Sequence, residues 1–562
     1  MMEIDLLRLI RGLVMKHLWG KCLVLILLVL LAALVSGCKI SGRITEGGTG
    51  IAGHTIQLSG DAQAVAITDA GGQYEFSAGE GCYTVTPVPD GSGEFLPASK
   101  QVFVRGVQGV QGVQADFTRL ADDDASWDPS MVVPIQAHPE IRGQKVLRGL
   151  IHLHSIYSHD ACDDKPWIEG QPNLPCYNQL REAICTTNQQ FVMLSDHPYN
   201  FAWHEFPDVL LYQPALGDEL IYQDDRPVAN IITCPCGNRA TITAGCESNL
   251  MPIGLKRMPD GRPEERSRLL SSATDEAVDQ LHALGAMVFV THPEGWDISA
   301  LLSLPIEGLD VYNLHSNIAP NIRKDFLGLQ PLGFIPGLLD MLIPAWDFAN
   351  PDLFLLSFLV ELKPDILRWD ALLDKRPTIG ILATDAHRNT LPFQLPDGDR
   401  ADSYRRMMRW FANYVLVNDQ KLDAIENAVR SGRMYGAFQV FGEPVGFDFH
   451  ARTDSRVLEM GDTVSLAASP VLHVTAPHFF GMPPALDQPE LHIRLIKAGD
   501  EGGTVVAESV NSDLELAVTQ SGSYRAEIKV VPYHLKKWLG DDPTPFLKEY
   551  PLIYANAIYV TN

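Results

Sequence analysis

The chain has 562 residues, of which 46% are hydrophobic and 20% charged, a composition that excludes disordered, collagen-like and low-complexity proteins. Its net charge of -25 disfavours a nucleic-acid partner, because an acidic surface repels a phosphate backbone. The length suggests several domains.

Residues 22–35 (CLVLILLVLLAALV) form an uncharged apolar run preceded by Arg8, Arg11, Lys16 and Lys21. The run is shorter than the about 20 residues that span a bilayer and suits the core of a secretory signal. Met15 is an alternative start to Met1. Val35-Ser36-Gly37-Cys38 resembles the bacterial lipobox. That resemblance implies a signal peptide over 1–37 and a lipidated Cys38 that holds the protein on a membrane of the cell envelope. Lys39 after the cysteine then implies the outer membrane, on its periplasmic or surface side. An uncleaved anchor helix is the alternative reading.

Residues 38–120 read as a small β-sandwich, with short alternating runs such as Thr55-Ile56-Gln57-Leu58 and Tyr74-Glu75-Phe76. Turn signals such as Asp69-Ala70-Gly71-Gly72 separate them. The stretch Thr68–Phe76 followed by Gly81-Cys82-Tyr83-Thr84-Val85 resembles carboxypeptidase-regulatory-like domains, which implies a non-catalytic spacer. Residues 121–143 are an acidic, proline-containing linker. From 144 to 441 short apolar strands alternate with helical stretches near 178–187, 274–284 and 419–431, the pattern of parallel strands joined by crossovers. Residues 327–373 are strongly apolar but interrupted by prolines, so short covering helices are expected there. Residues 442–562 return to strand alternation and read as a second β-sandwich.

Cys162, Cys176, Cys185, Cys234, Cys236 and Cys246 all lie in the middle region. In an exported protein these six are expected to form three disulfides, with the pairing open and Cys82 left over and buried.

Five apolar strands of the middle region end in groups that bind metals or protons. Leu150-Ile151-His152-Leu153-His154 runs into Ser158-His159-Asp160; residues two apart on a strand share a face, so His152 and His154 can meet one ion. Phe191–Leu194 leads to Ser195-Asp196-His197, and Thr241–Ala244 to Gly245-Cys246-Glu247. Met287–Val290 leads to Thr291-His292-Pro293, and Ile379–Leu382 to Asp385-Ala386-His387. Any one of these is ordinarily structural: a lone histidine is hydrogen bonded, and an aspartate there caps a helix. Five in succession, at strand ends that a barrel gathers on one rim, are costly to bury without cations.

The ordered set His152-x-His154-Ser155, Ser195-Asp196-His197, Glu247, Thr291-His292-Pro293 and Asp385-Ala386-His387 resembles the polymerase-and-histidinol-phosphatase (PHP) superfamily, in particular the branch that includes carbaryl hydrolase. Pro551–Val560 is similar to that branch's C-terminus. The resemblance implies an α/β fold: a distorted (β/α)7 barrel, here flanked by two small all-β sandwiches. It also implies two or three divalent ions (Zn, Mn or Fe) and metal ligands at His152, His154, Asp160, His197, Glu247, His292, Asp385 and His387, with Glu247 bridging. His159 rivals Asp160, and Asn313 and His315 compete for a further position. Asp196 and Asp385 are candidates for proton transfer, and Arg388 for holding a phosphate oxygen. The implied activity is an exported hydrolase in which metal-bridging hydroxide attacks a small-molecule ester. The reading favours a phosphoesterase, with an amide or carbamate hydrolase, or a binding lipoprotein with a degenerate barrel, as alternatives.

Overall fold

The computed structural model describes residues 38–46, 49–90, 94–96, 99–104, 113–120, 127–337, 350–395, 397–540 and 542–562. The expected signal peptide over 1–37 lies outside these residues, as do 121–126 of the linker and 338–349 of the apolar stretch. Among the described residues no helix is long and apolar enough to cross a membrane. Of the described residues, one compact unit takes in those from Cys38 to Val88 and within Ser99–Phe117; the other takes in those within Pro89–Ala98 and Thr118–Asn562.

In the first unit, strand Thr55–Gly60 lies between Ala64–Ile67 and Gly81–Pro87, all antiparallel, and Lys100–Val104 completes that sheet. A second sheet pairs Cys38–Glu46 with Gln73–Ala78. Tyr74, Phe76 and Ala78 are buried and the residues between them exposed, the two-residue period of a half-buried strand. The turn before Gln73 is closed by Asp69, whose Oδ1 accepts from the backbone N–H of Gly71 and of Gln73, each at 2.8 Å.

The second unit is built on a closed ring of seven strands: β1 (Lys145–Leu153), β2 (Phe191–Met193), β3 (Arg239–Gly245), β4 (Leu250–Leu255), β5 (Met287–Val290), β6 (Gly308–Asn313) and β7 (Ile379–Ala386). Each pairs with the next, and β7 pairs back onto β1. This overturns the expected (β/α)7 barrel. Among the described residues strand predominates, at 37% against 25% helix. β4 runs antiparallel to both β3 and β5, and the few residues between β3 and β4 leave no room for a crossover helix. Sequence periodicity misses β4 because Pro252 and Gly254 interrupt it. A further antiparallel hairpin, Glu219–Gln223 with Arg226–Thr233, pairs along the first half of β3.

Alternate residues of the ring strands (Leu147 and Ile151, Phe191 and Met193, Met251 and Ile253, Met287 and Phe289, Ile379 and Ile381) meet in one buried cluster, so one face of the ring is packed with side chains. Val415 and Val417 of β8 (Phe411–Val417), with Ile425 and Val429 of helix Leu422–Ser431, join the same cluster. β8 pairs antiparallel with the first half of β1. Beyond it Met434–Phe438 pairs with Tyr550–Ala555, which joins the C-terminal strands to the same sheet.

Helix α1 (Leu174–Thr186) connects β1 to β2 and is tied down near both ends. Cys176 is bonded to Cys162 and Cys185 to Cys234. The expectation of three disulfides among the six cysteines is corrected. Cys246 is a buried free thiol, while Cys236 is disulfide-bonded, as is Cys82, which was expected to be left over. Cys246 sits where β3 turns into β4, fully buried and bridged to Asp196.

Candidate metal centre

The strand ends bring their polar residues together at one rim through irregular backbone. His152, His292 and Asp385 all adopt positive φ (71°, 48° and 48°), a left-handed geometry that costs a non-glycine residue roughly 1 kcal/mol or more and collects at functional sites. At the end of β3, a Cβ on Gly245 would lie 2.4 Å from the Leu194 carbonyl oxygen and 2.6 Å from that of Pro252. Only glycine permits the close approach of backbones that carries Glu247 to the rim.

Three groups of candidate ligands result: His154, His197 and His387; His152, His154, Glu247 and Asp385; and His292, His315 and Asp385. Within each, one nitrogen or oxygen per residue lies within 4.8 Å of all the others. His154 belongs to the first and second groups and Asp385 to the second and third, so the three sites are contiguous. Asp385 Oδ1 is 3.4 Å from His152 Nε2 and 3.3 Å from His154 Nε2, while its Oδ2 is 3.4 Å from His292 Nε2. Glu247 lies 3.7 Å from His152 Nε2 and 3.6 Å from His154 Nε2 through its two oxygens.

Every central imidazole is oriented through Nδ1. His197 Nδ1 faces the Glu247 carbonyl and His387 Nδ1 the Asp385 carbonyl, both at 3.0 Å. His152 Nδ1 is 3.2 Å from Asp310 Oδ2, His154 Nδ1 2.8 Å from Ser158 Oγ, and His292 Nδ1 3.1 Å from Ser316 Oγ. A carbonyl can only accept, so Nδ1 of His197 and His387 carries a proton, and each ring in its neutral form presents an Nε2 lone pair. This outer-shell anchoring is what a metal-binding histidine needs. His152 Nε2, His154 Nε2 and Asp385 Oδ1 are buried with no hydrogen-bond partner. Orphaned nitrogens and carboxylate oxygens facing one another fit a divalent cation such as Zn, Mn or Fe.

The electrostatics agree with that fit. Burial opposes charge on His152, yet Asp385, Glu247 and Asp310 raise it well above its ordinary value. Burial also works against His197, but Asp160 and Glu247 lift it to about 9. His154 and His387 are lowered, first by burial, with His387 adding to the effect on His154 and His197 to that on His387. Burial would raise Asp385, but His152, His154 and His292 hold its carboxyl well below the usual range. The buried carboxylates thus pull positive charge onto their neighbours, the same pull that holds a cation.

The remaining candidates fall in distinct places. Asp160 Oδ2 lies 3.5 Å from Nε2 of both His197 and His387, whereas His159 is half-exposed and points its Nδ1 toward Asp160 at 3.9 Å. His315 Nδ1 is 3.6 Å from Asp385 Oδ2 at the exposed edge. Asn313 is fully buried and caps helix Leu314–Ile318, its Oδ1 accepting from the N–H of His315 and Ser316. Asp196 lies outside the three groups: its oxygens accept from the Ser155 N–H at 2.6 Å and from the Ser155 hydroxyl at 2.8 Å, and burial pushes its pKa up to about 6. Arg388 approaches Asp163 at 3.7 Å. Sequence reading missed Ser158, Asp310, Ser316 and Tyr404. The Tyr404 hydroxyl is 3.2 Å from the carbonyls of both His154 and His387 and ties their loops together. Ser158 stands beside His159 and Asp160 but was passed over as a loop residue, and the other three stand in no motif. Asp310 is an aspartate inside an apolar strand, and that alone was a usable signal.

No family model matches this sequence, and no curated protein sequence does. Among solved structures, the chain is similar to a two-domain protein from Bacteroides vulgatus containing a predicted PHP-like metal-dependent phosphoesterase. The identity is 13% and the TM-score 0.28, over 74% of this chain and 97% of that one. It is also similar to DUF3823 family proteins from Parabacteroides merdae and Bacteroides ovatus. Their identities are 18% and 15% and their TM-scores 0.12 and 0.13; each match covers 15% of this chain and 46% or 44% of the other. With likenesses this distant, the metal chemistry rests on the residues themselves.

Proposed function

We propose that this protein is an exported, metal-dependent hydrolase of PHP type whose substrate is a phosphoester. The observation that carries the proposal is a double convergence: the Nε2 atoms of His152, His154 and His292 meet the shared carboxylates Glu247 and Asp385, and those of His197 and His387 meet at Asp160 beside His154, with each ring's Nδ1 already engaged. Those five histidines with Glu247 and Asp385, and Asp160 and His315 at the edge, would hold two or three Zn, Mn or Fe ions. Bound there, such ions supply Lewis acidity toward a phosphoryl oxygen and make water a nucleophile near neutral pH. The chain's own residues orient the reaction. Asp385 keeps adjacent groups in register by facing both, and Tyr404 holds the His154 and His387 loops at a constant separation.

Export and lipid anchoring through Cys38 complete the proposal. The apolar run before Cys38 supports it, and so do the two disulfides around α1, which persist in an oxidising compartment.

The test is metal analysis of the purified chain joined to side-by-side assays of phosphomonoesters, phosphodiesters and aryl carbamates with added Zn²⁺ or Mn²⁺. Metal-dependent phosphoester hydrolysis, lost in His152→Ala and Glu247→Ala, is the expected result. Turnover of carbamates alone would replace the substrate class, and a chain that takes up no stoichiometric metal would overturn the enzyme reading.

A further inference from the structure

Asp310 and Asn313 stand three apart on β6, and in a regular strand they would face opposite sides. A bulge prevents this: Asp310 lies opposite Ile381 and Tyr312 opposite Leu382, so Val311 is an extra residue and the alternation resets. Both side chains therefore reach the same side, and Asn313 Nδ2 donates to Asp310 Oδ2 at 3.1 Å. The same carboxylate oxygen accepts from His152 Nδ1 at 3.2 Å. On its other side Asn313 Oδ1 accepts from the N–H of His315 at 2.8 Å and of Ser316 at 3.4 Å. Those two donors fix which way the amide points. Ser316 Oγ then donates to Glu294 Oε1 and meets His292 Nδ1, both at 3.1 Å. Asp310, Asn313 and Ser316 are fully buried, so water cannot stand in for a missing link.

We propose that Asp310 and Asn313 act as one positioning unit that couples the group containing His152 to the group containing His292 and His315, and that Asn313 is not itself a metal ligand. This rests on the metal-centre reading above. The Asn313 oxygen is already committed to two backbone donors, and its nitrogen to Asp310. The group of His154, His197 and His387 hangs on other partners, Ser158 and the Glu247 and Asp385 carbonyls, and is independent of this unit.

The test is zinc affinity of the full chain, measured by competition with a chelator and by metal counting. Loss of an outer-shell partner typically weakens metal binding about 10- to 100-fold. Asn313→Ala is expected to weaken two classes of zinc together by that factor and to leave the class at His154, His197 and His387 unchanged. Asn313→Asp keeps the helix cap but sets a carboxylate against Asp310, so its loss is expected in the His152 class alone. Circular dichroism and thermal melting of the metal-free variants guard against misfolding, and affinity retained at His154, His197 and His387 shows that the barrel still stands. Wild-type affinity in Asn313→Ala, or an equal loss in all three classes from a folded variant, overturns the inference. A wild-type chain that binds no zinc overturns the metal-centre reading itself.

Discussion

The Nε2 atoms of His197 and His387 lie 3.3 Å apart, while the Nδ1 atom of each ring faces a backbone carbonyl. With His197 raised to about 9 and His387 lowered, His197 is protonated on both nitrogens at neutral pH, and its Nε2–H donates to the lone pair of His387 Nε2. An ion bound here would displace that proton, so metal uptake by this group should weaken with acid.

His387→Phe keeps the stacking on the His154 ring, whose centroid is 3.6 Å away, and removes the nitrogen that accepts from His197. Stripped of metal, the variant should be destabilised by about 1–3 kcal/mol, the cost of leaving the Asp385 carbonyl and the His197 N–H without their partner. The rise in melting temperature that zinc gives the wild type should shrink, since that rise follows from mass action on the native state. Thermal denaturation with and without zinc checks both. A variant that keeps the full zinc-induced rise would place the ion elsewhere.

Gly245→Ala should be among the most damaging small substitutions in the barrel. Its methyl group would fall within 2.4 Å of the Leu194 carbonyl, so β3 or its neighbour must shift. A cost of about 1–3 kcal/mol is expected, together with loss of zinc that depends on Glu247. Chemical denaturation and metal counting are the measurements, and an unchanged stability would contradict the close approach.

The Cys162–Cys176 bond closes a 14-residue separation and holds the loop that carries Asp160 against α1. Replacing both cysteines with serine should cost about 3 kcal/mol by chain-entropy reasoning. The loss should fall also on zinc held near Asp160, His197 and His387. In the unreduced wild type, alkylation after denaturation followed by peptide mapping should label Cys246 and leave Cys162, Cys176, Cys185 and Cys234 unmodified.

Stability should fall with acid in two stages. Burial holds the His534 imidazole at about 4, against an ordinary 6.5, and its Nε2 meets the Phe441 carbonyl at 2.8 Å. The unfolded chain therefore takes up a proton that the native chain refuses, and stability declines from pH 6.5 down to about 4, by on the order of 3 kcal/mol. Burial alone would raise Glu443, but Arg148, His138 and Arg409 hold its carboxyl well below the ordinary 4.5, so its contribution is present above pH 4.5 and is lost below it. In melting curves across pH 8 to 4, His534→Phe should lie closer to wild type at the acid end than at neutral pH. A constant gap would exclude His534 from the acid response.

The ligand candidates were legible because histidines and acids placed immediately after apolar strands converge wherever those strands share a rim. His152, His154, Glu247 and Asp385 are separated by up to 233 residues, yet they meet within one ligand group. The strand directions were not legible. The antiparallel β4 hides behind Pro252 and Gly254, and nothing in its composition distinguishes a ring strand from a loop. Nor could spacing separate Asn313 from His315, since the bulge at Val311 decides which face each residue joins.

What the sequence by itself determined is the inventory: an apolar leader-like run, all-β flanks, and strand ends supplied with imidazole and carboxylate in a fixed order. Those follow from local periodicity and residue chemistry. Only the tertiary structure decided which nitrogen of each histidine is free, which acids face the rim, that Asp196 and Asn313 are committed to hydrogen bonds, and which cysteines pair. Each of those depends on distances between segments far apart in the chain, set by bulges, left-handed residues and close backbone contacts that residue patterns do not encode.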